Sequence, residues 1–152
     1  MDDKKNVSPQ DSTQVIESLY KYLQGLNIGV PLNIEYLNEK TPCMAVKQVA
    51  TAYKTRSNIL GGYEAELPFA IYHRAKVNDT NGVFKVTKPL NIMADIFELE
   101  TENGFPNLKL GGYEPVKLEM LSTPADESGK ENNTAIFMAM YKLTYKKKSK
   151  YS

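Results

Sequence analysis

The stretch LGGYEAELPFAIYHR, residues 60–74, decides the fold because it has the pattern of a central strand. Gly61-Gly62 is a turn signal, since glycine adopts positive φ without steric cost. Pro68 lacks a backbone donor, so its presence predicts an edge position or a bulge. Beyond the turn, side chains alternate with the period of a strand that has one face on a core. The inward set is Ala65, Leu67, Phe69 and Ile71, and the outward set is Glu64, Glu66, Ala70, Tyr72 and Arg74.

On the N-terminal side of this stretch we predict one helix and one strand. Ser8-Pro9-Gln10-Asp11 is typical of a helix start, and the apolar stripe from Val15 to Leu26 continues it until Gly29 and Pro31. A short extended piece is also expected at residues 32–36. The valine-rich run 43–53 lacks helix caps and predicts a strand. A loop at 54–62 would join it, antiparallel, to the central strand.

On the C-terminal side, Pro89 is predicted to begin a second helix that ends at Gly104 and Pro106. Strands follow at 114–123 and 135–146, separated by a polar loop at 123–134. The order is α-β-β-α-β-β. We therefore expect an α+β fold, a four-stranded mostly antiparallel sheet with two helices packed on one face. Residues 1–10 are expected to be a flexible N-terminal arm, 11–146 a single domain and 147–152 a basic C-terminal tail. The expected core is Leu19, Leu23, Leu67, Phe69, Ile71, Phe97, Val116 and Leu118.

Composition narrows the function classes. The 152 residues carry a net charge of +1, so no overall field attracts nucleic acid or an anionic membrane. Cys43 is the only cysteine, which excludes an internal disulfide. The N-terminus lacks the apolar segment of a secretory signal, and no apolar run approaches the roughly 18 residues of a membrane span. These features predict a soluble intracellular domain that does not interact with a membrane.

No catalytic, cofactor-binding or metal-binding signature stands out, so we expect no enzyme and no cofactor. His73 is the only histidine, and without a partnered serine, cysteine or acid it is more often structural. Glu64 and Glu66 share one strand face, where two-carboxylate chemistry is conceivable but a solvated or subunit-facing surface is the stronger interpretation. Cys43 is interpreted as a buried small hydrophobe. The motif LGGYE occurs at 60–64 and 110–114, which we interpret as one turn sequence used twice.

The last predicted strand is apolar on both faces. Ile136, Met138 and Met140 occupy one face, and Phe137, Tyr141, Leu143 and Tyr145 the other. Two helices can cover only one face of a small sheet, so the other face or the sheet edge needs a partner. Ten tyrosines and six methionines fit such an interface. The sequence therefore predicts oligomerisation.

A succession of segments resembles one protein family. GGYEAELPFAIYHR, NIMADIFE, FPNL, LEMLSTPA and MYKLTYKKK, within roughly residues 12–148, are similar to the minor capsid or tail-terminator-like proteins of tailed phages and prophages of Gram-positive bacteria. The resemblance implies a small α+β subunit of a homo-oligomeric ring, often a hexamer, that caps the tail tube where it joins the head. Its implied partners are the major tail protein and the head-completion protein, and DNA passes through the ring without specific binding. The implied location is the virion, assembled in the bacterial host cytoplasm.

A closed ring needs a heterologous interface, in which two different patches of each subunit meet. The two predicted patches are the outward face of the central strand and the apolar surplus of the last strand. Two alternatives remain: a monomeric or dimeric binding module outside any virion, and, more remotely, a small hydrolase using Glu64 and Glu66. The interface candidates are Glu64, Glu66, Tyr72, Arg74, Met138, Met140 and Tyr141.

Overall fold

The computed structural model of the chain describes residues 6–26, 28–34, 43–57, 61–76, 82–126 and 134–148. Two helices and six strands occur in this part of the chain. Their order is α1 (Pro9–Gln24), β1 (Leu32–Ile34), β2 (Cys43–Gln48), β3 (Tyr53–Ser57), β4 (Tyr63–Lys76), α2 (Gly82–Glu102), β5 (Tyr113–Asp126) and β6 (Thr134–Lys147).

The strands form one mostly antiparallel sheet in the order β1-β2-β4-β6-β5, with β3 also paired to β4. The α+β class is confirmed, whereas the predicted sheet of four strands is too small. Two differences account for the change. The short piece at 32–34 is a strand that pairs in parallel with β2. The run predicted as one strand at 43–53 ends at Gln48, and Tyr53–Ser57 then pairs with the start of β4.

Pro68 lies inside the central strand β4, and the neighbouring strand is interrupted beside it. On one side of β4, the first residues pair with β3, and the last of these pairs is Glu66 with Tyr53. The later residues of β4 pair with β2, starting with Phe69 and Gln48. The Pro68 carbonyl accepts a hydrogen bond from Val49 N–H at 3.2 Å. In an antiparallel strand the N–H and C=O of one residue point to the same side, so the missing donor of Pro68 falls where β3 gives way to β2.

The core lies between the helices and one face of β4 and β6. Phe69 and Tyr141 stack with centroids 5.6 Å apart, and Phe97 of α2 meets both rings edge-on. The Tyr141 hydroxyl donates to the Leu90 carbonyl at 2.8 Å, which satisfies a buried polar group. Seven of the eight predicted core residues are buried.

Val116 is the core prediction that is wrong. Its side chain is 37% exposed. The pairing of β5 with β6 shifts between Pro115 and Lys117, so Val116 is the extra residue of a bulge. A bulge inserts one residue and breaks the two-residue alternation on which the prediction depended.

The predicted boundaries of the N-terminal arm and the basic tail both need correction. Asn6 bridges to Tyr53, and Val7 is 3% exposed with its N–H bonded to the Ala52 carbonyl at 2.9 Å. The predicted Ser8 cap is present, since its Oγ accepts from Asp11 N–H, and α1 begins at Pro9. Residues 6–10 thus belong to the folded domain. At the other end, Lys147 is the last residue of β6 rather than part of a free tail.

Helix α2 begins at Gly82, seven residues before the predicted start at Pro89. The proline lies inside the helix, where it supplies no N–H to the carbonyl one turn earlier. Apolar Val86 and Leu90 are both fully buried, so packing on the sheet outweighs this local penalty. Strand β5 continues to Asp126, so the loop predicted at 123–134 begins later than expected. Residues 127–133 of that loop lie outside the described part of the chain.

Candidate assembly surface

The second face of the central strands carries most of the predicted interface residues. Glu64, Glu66, Tyr72 and Arg74 of β4 lie on it, and in the β4–β6 register Met138 pairs with Tyr72 and Met140 with Ala70. All six of the candidates on this face are partly exposed, and none belongs to the core cluster that joins both helices to the opposite face. Among the described residues, no helix packs on it. We call this surface the open sheet face.

Tyr141 is the predicted interface residue that the structure contradicts. It lies on the core face of β6, fully buried between Phe69 and Phe97. The sequence showed that β6 is apolar on both faces. Which of the two alternating sets of residues faces the helices was determined only by the pairing of β6 with β4. Tyr141 is therefore a core residue and cannot contribute to a surface of the folded subunit.

The open sheet face has an apolar centre with cations beside it. Tyr72, Met138 and Met140 form the centre. Lys47 of β2 places its Nζ 4.9 Å from the centroid of the Tyr72 ring, a cation–π contact. On the β2 side of this face Cys43 and Ala45 are buried, whereas Lys47 is partly exposed.

An ionic network occupies the other end of the open sheet face. Glu66 accepts a hydrogen bond from the Tyr53 hydroxyl and one from Lys142 Nζ at 3.2 Å. The hydrogen bond from Tyr53, aided by Lys142, lowers the pKa of the Glu66 carboxyl despite its partial burial. A general acid for two-carboxylate hydrolysis needs a raised pKa instead. The environment of Glu66 is therefore unsuited to the general-acid role in such a pair.

The edge strand β5 is protected against pairing with another strand. Pro115 and Pro124 have no backbone N–H, so they interrupt the row of hydrogen-bond donors along β5. The pairing of β5 with β6 also shifts at three places. Thr101 of α2 accepts a hydrogen bond from Leu118 N–H at 3.0 Å and lies 3.2 Å from the Leu118 carbonyl. Prolines, bulges and a covering helix are the usual devices that prevent edge-to-edge association. The face of the sheet, rather than this edge, is the available surface.

A second cluster, which we call the Asp11 clasp, joins α1 to one end of the sheet. Asp11 Oδ1 accepts from the Tyr113 hydroxyl at 2.6 Å. Its Oδ2 accepts from the Tyr63 hydroxyl and from Lys147 Nζ, both at 3.0 Å. Tyr145 packs edge-on against both Tyr63 and Tyr113. One carboxylate thereby links four segments that are distant in sequence.

The two LGGYE motifs supply this clasp. Gly61 and Gly111 both have positive φ, at 94° and 70°, and each precedes a strand. Tyr63 and Tyr113 then pair with Lys147 of β6 from opposite sides. The repeat is therefore more than a turn sequence used twice, since it places equivalent tyrosines on both sides of β6. The repetition itself was the signal that could have identified the clasp.

The clasp predicts a specific acid sensitivity. Burial raises the pKa of the Asp11 carboxyl, but the hydrogen bonds from Tyr113, Lys147 and Tyr63 outweigh it and hold the pKa below its ordinary value of 3.8. A depressed pKa in the folded state contributes stability that is present above the unfolded value and is lost as pH falls through the folded one. We expect Asp11→Asn to flatten the pH dependence of the unfolding free energy between about pH 5 and pH 2. Urea titrations at several pH values measure this, with the exposed Asp95→Asn as control. Equal slopes in both variants would contradict the assignment.

Two further titratable residues, His73 and Glu100, are buried and hydrogen-bonded to the backbone. His73 is buried on the core face with Nδ1 2.7 Å from the Val86 carbonyl, and burial lowers its pKa despite that hydrogen bond. Glu100 of α2 accepts from the N–H groups of Asn107 and Leu108 at 2.7 and 2.6 Å and from Asn107 Nδ2 at 3.0 Å. It thereby holds the turn in which Gly104 and Phe105 both have positive φ.

The described ranges contain surface grooves, but neither a metal-binding cluster nor a membrane-spanning helix. No group of three or more histidine, cysteine, aspartate or glutamate side chains there could hold a metal ion. Neither of the described helices is long and apolar enough to cross a membrane. A groove of about 450 Å³ between α2 and β5 is lined by Glu98, Glu102, Lys117 and Glu119 among others. Comparison with known sequences matched the chain to no protein-family model and to no curated protein.

Proposed function

We propose that this chain is a structural virion protein, a tail-terminator or head–tail joining subunit. In this proposal copies of the chain form a closed ring, such as a hexamer, on the head-proximal end of a phage tail tube. Its partners are further copies of itself, the major tail protein and the head-completion protein. DNA passes through the ring without specific binding. The ring assembles in the bacterial host cytoplasm and remains in the virion.

The open sheet face is the observation that carries the proposal. Its apolar centre, formed by Tyr72, Met138 and Met140, lies on the two central strands and is separate from the core. Charged residues flank that centre, an arrangement that resembles the apolar middle and polar rim of protein interfaces. The family resemblance adds the specific context of a phage tail.

The proposal predicts unequal effects of two substitutions on assembly. Met140→Asp places a charge in the apolar centre and should abolish self-association, because desolvating an unpaired carboxylate is strongly unfavourable. Glu64→Ala, at the polar end of the same strand face, should weaken association by less than about tenfold. Sedimentation of both purified variants measures the difference, and thermal melts establish that each is folded. A folded Met140→Asp variant that associates like the unchanged chain would contradict the role of this face.

The virion role is tested in a phage from which this gene has been removed. We expect filled heads and tails that fail to join, or tails of uncontrolled length, in electron micrographs of the lysate. Supplying the gene from a plasmid should restore joined particles, whereas supplying the Met140→Asp form should not. Normal joined particles without the gene would refute the virion role and favour a binding module.

A further inference from the structure

His73 of β4 lies on the core face and contacts the backbone of α2. Its side chain is 2% exposed, and its neighbours in the sheet register, Met44 of β2 and Phe137 of β6, are also buried. Nδ1 lies 2.7 Å from the Val86 carbonyl. A carbonyl oxygen can only accept a hydrogen bond, so we assign the proton of the neutral ring to Nδ1. His73 thereby joins α2 to the sheet as the donor of one buried hydrogen bond.

The second ring nitrogen of His73 is a buried acceptor without a partner. Nε2 makes no hydrogen bond in the part of the chain that the structure describes. Protonation of Nε2 would place a positive charge and a second N–H group in this apolar site. Burying an unpaired charge is strongly unfavourable. Burial accordingly lowers the pKa of His73 below its ordinary value of 6.5.

The charged residues that flank His73 in the sheet cannot pair with a protonated ring. By strand alternation they belong to the opposite face, and all of those in the described parts of β2, β4 and β6 that are nearest to it are cations. They are Lys47, Arg74, Lys76 and Lys142. Lys88, the nearest charged residue after Val86 on α2, is exposed and also a cation.

The carboxylates of the two helices do not compensate the charge either. Asp11 is bound to Tyr63, about 33 Å from His73 along β4. The buried Glu100 lies about 21 Å along α2 from Val86. The other described carboxylates of the helices are exposed, namely those of Glu17, Asp95, Glu98 and Glu102. A protonated His73 thus has no described anion beside it in the core.

Pro89 separates the first turns of α2 from the rest of the helix. It has no N–H for the carbonyl one turn earlier, and helices bend at such positions. The sheet makes one buried side-chain hydrogen bond to the α2 backbone on each side of this point. His73 binds the Val86 carbonyl before it, and the Tyr141 hydroxyl donates to the Leu90 carbonyl after it. Burial raises the pKa of Tyr141, so only the His73 bond responds to acid.

We propose that His73 is a proton-sensitive latch, which holds residues 82–88 of α2 on the sheet when neutral and releases them when protonated. The helix beyond Pro89 stays packed. A protonated ring gains hydration of Nε2 only by leaving the core, and the hydrogen bond to Val86 breaks as it leaves. Val86 is fully buried while the latch is closed, so release opens a defined part of the core. The inference goes beyond the proposed function and requires no ring.

The sign of the pH dependence follows from the two states of the ring. In the open state the solvated ring has the ordinary histidine pKa of about 6.5, whereas burial lowers the pKa in the closed state. Below about pH 6.5 the open state therefore binds more protons, and the closed state loses stability until the pH reaches its own lower pKa. Between about pH 7.5 and pH 5 the opening equilibrium should rise on the order of tenfold.

Amide hydrogen exchange of the full-length chain tests the latch. After correction for intrinsic exchange, protection at residues 86–88 should fall on the order of tenfold over this pH range. Protection at residues 97–100, beyond the proline, should change less than about twofold. His73→Asn is the matched variant, because asparagine Nδ2 can donate to the Val86 carbonyl but does not titrate. Its protection at residues 86–88 should stay within about twofold.

Three results in this experiment would overturn the latch. Protection at residues 86–88 of the unchanged chain that does not depend on pH would show that protonation releases nothing. Equal losses at residues 97–100 would show unfolding of the whole domain rather than of one segment. A His73→Asn variant that loses protection like the unchanged chain would assign the effect to another group.

A second measurement decides the matter if His73→Asn fails to fold. His73 is the only histidine of the chain, so its ring signals in an NMR titration of the unchanged protein are unambiguous. We expect the ring to stay neutral, with the proton on Nδ1, below the ordinary pKa of 6.5. A folded-state pKa at or above that value would refute the latch, because protonation would then not favour release.

Discussion

Phe69→Ala is expected to lower the unfolding free energy by about 3–5 kcal/mol, the usual range for truncating a buried phenylalanine. Phe69 is 1% exposed in the middle of the longest pairing, between β4 and β6. Its ring contacts Tyr141 at 5.6 Å and Phe97 at 6.1 Å between centroids. Removal leaves a cavity bounded by β6 and α2, which rigid neighbours can fill only in part.

Urea unfolding measures this loss as a lower midpoint at an unchanged slope. Val116→Ala is the matched control, since Val116 was predicted to be buried and is found in a bulge at the surface. That variant should lose less than about 1 kcal/mol. Equal losses at the two positions would contradict the placement of the core and of the bulge.

Glu100→Ala is expected to lower the unfolding free energy by about 2–4 kcal/mol, although the residue is a charged one on a helix. Its carboxylate accepts the N–H groups of Asn107 and Leu108, and without it both donors lose their partner. A buried donor left without a partner costs about 1–3 kcal/mol of stability. Hydrogen bonds to a charged group contribute more than those between neutral groups.

Two comparisons isolate the effect of the Glu100 hydrogen bonds. Glu98→Ala, two residues earlier and exposed, should change stability by no more than about 0.5 kcal/mol. Glu100→Gln keeps one acceptor oxygen and should lose less than Glu100→Ala. Thermal and urea unfolding of the three variants measure these differences. A Glu100→Ala variant as stable as Glu98→Ala would show that the carboxylate does not hold the turn.

Much of the local structure followed from short-range patterns. The alternation in residues 60–74 predicted which side chains of β4 are buried, and the structure confirms Leu67, Phe69 and Ile71. The serine cap and first proline of α1 were also predicted correctly. These features depend on backbone sterics and side-chain periodicity, which neighbouring residues determine almost alone.

The errors share a physical cause, since each depended on contacts with distant residues. Helix α2 continues through Pro89 because Val86 and Leu90 are buried against the sheet. Val7 is buried because Ala52 accepts its N–H. Residues 53–57 become β3 because the start of β4 has an unpaired side for them to occupy. Local propensity is a weak predictor where tertiary contacts of this kind are available.

For the candidate surface, the sequence by itself determined that β6 has apolar residues on both faces and that the outward residues of β4, apart from Ala70, are charged or aromatic. Only the tertiary structure decided which face of β6 is the core. The register that pairs Phe69 with Tyr141 and Tyr72 with Met138 buries Tyr141 and leaves Met138 and Met140 beside the outward residues of β4. Register is a relation between strands, and a shift of one residue would exchange the two faces. Alternation within one strand therefore distinguishes two faces, but only pairing and helix packing determine which of them is buried.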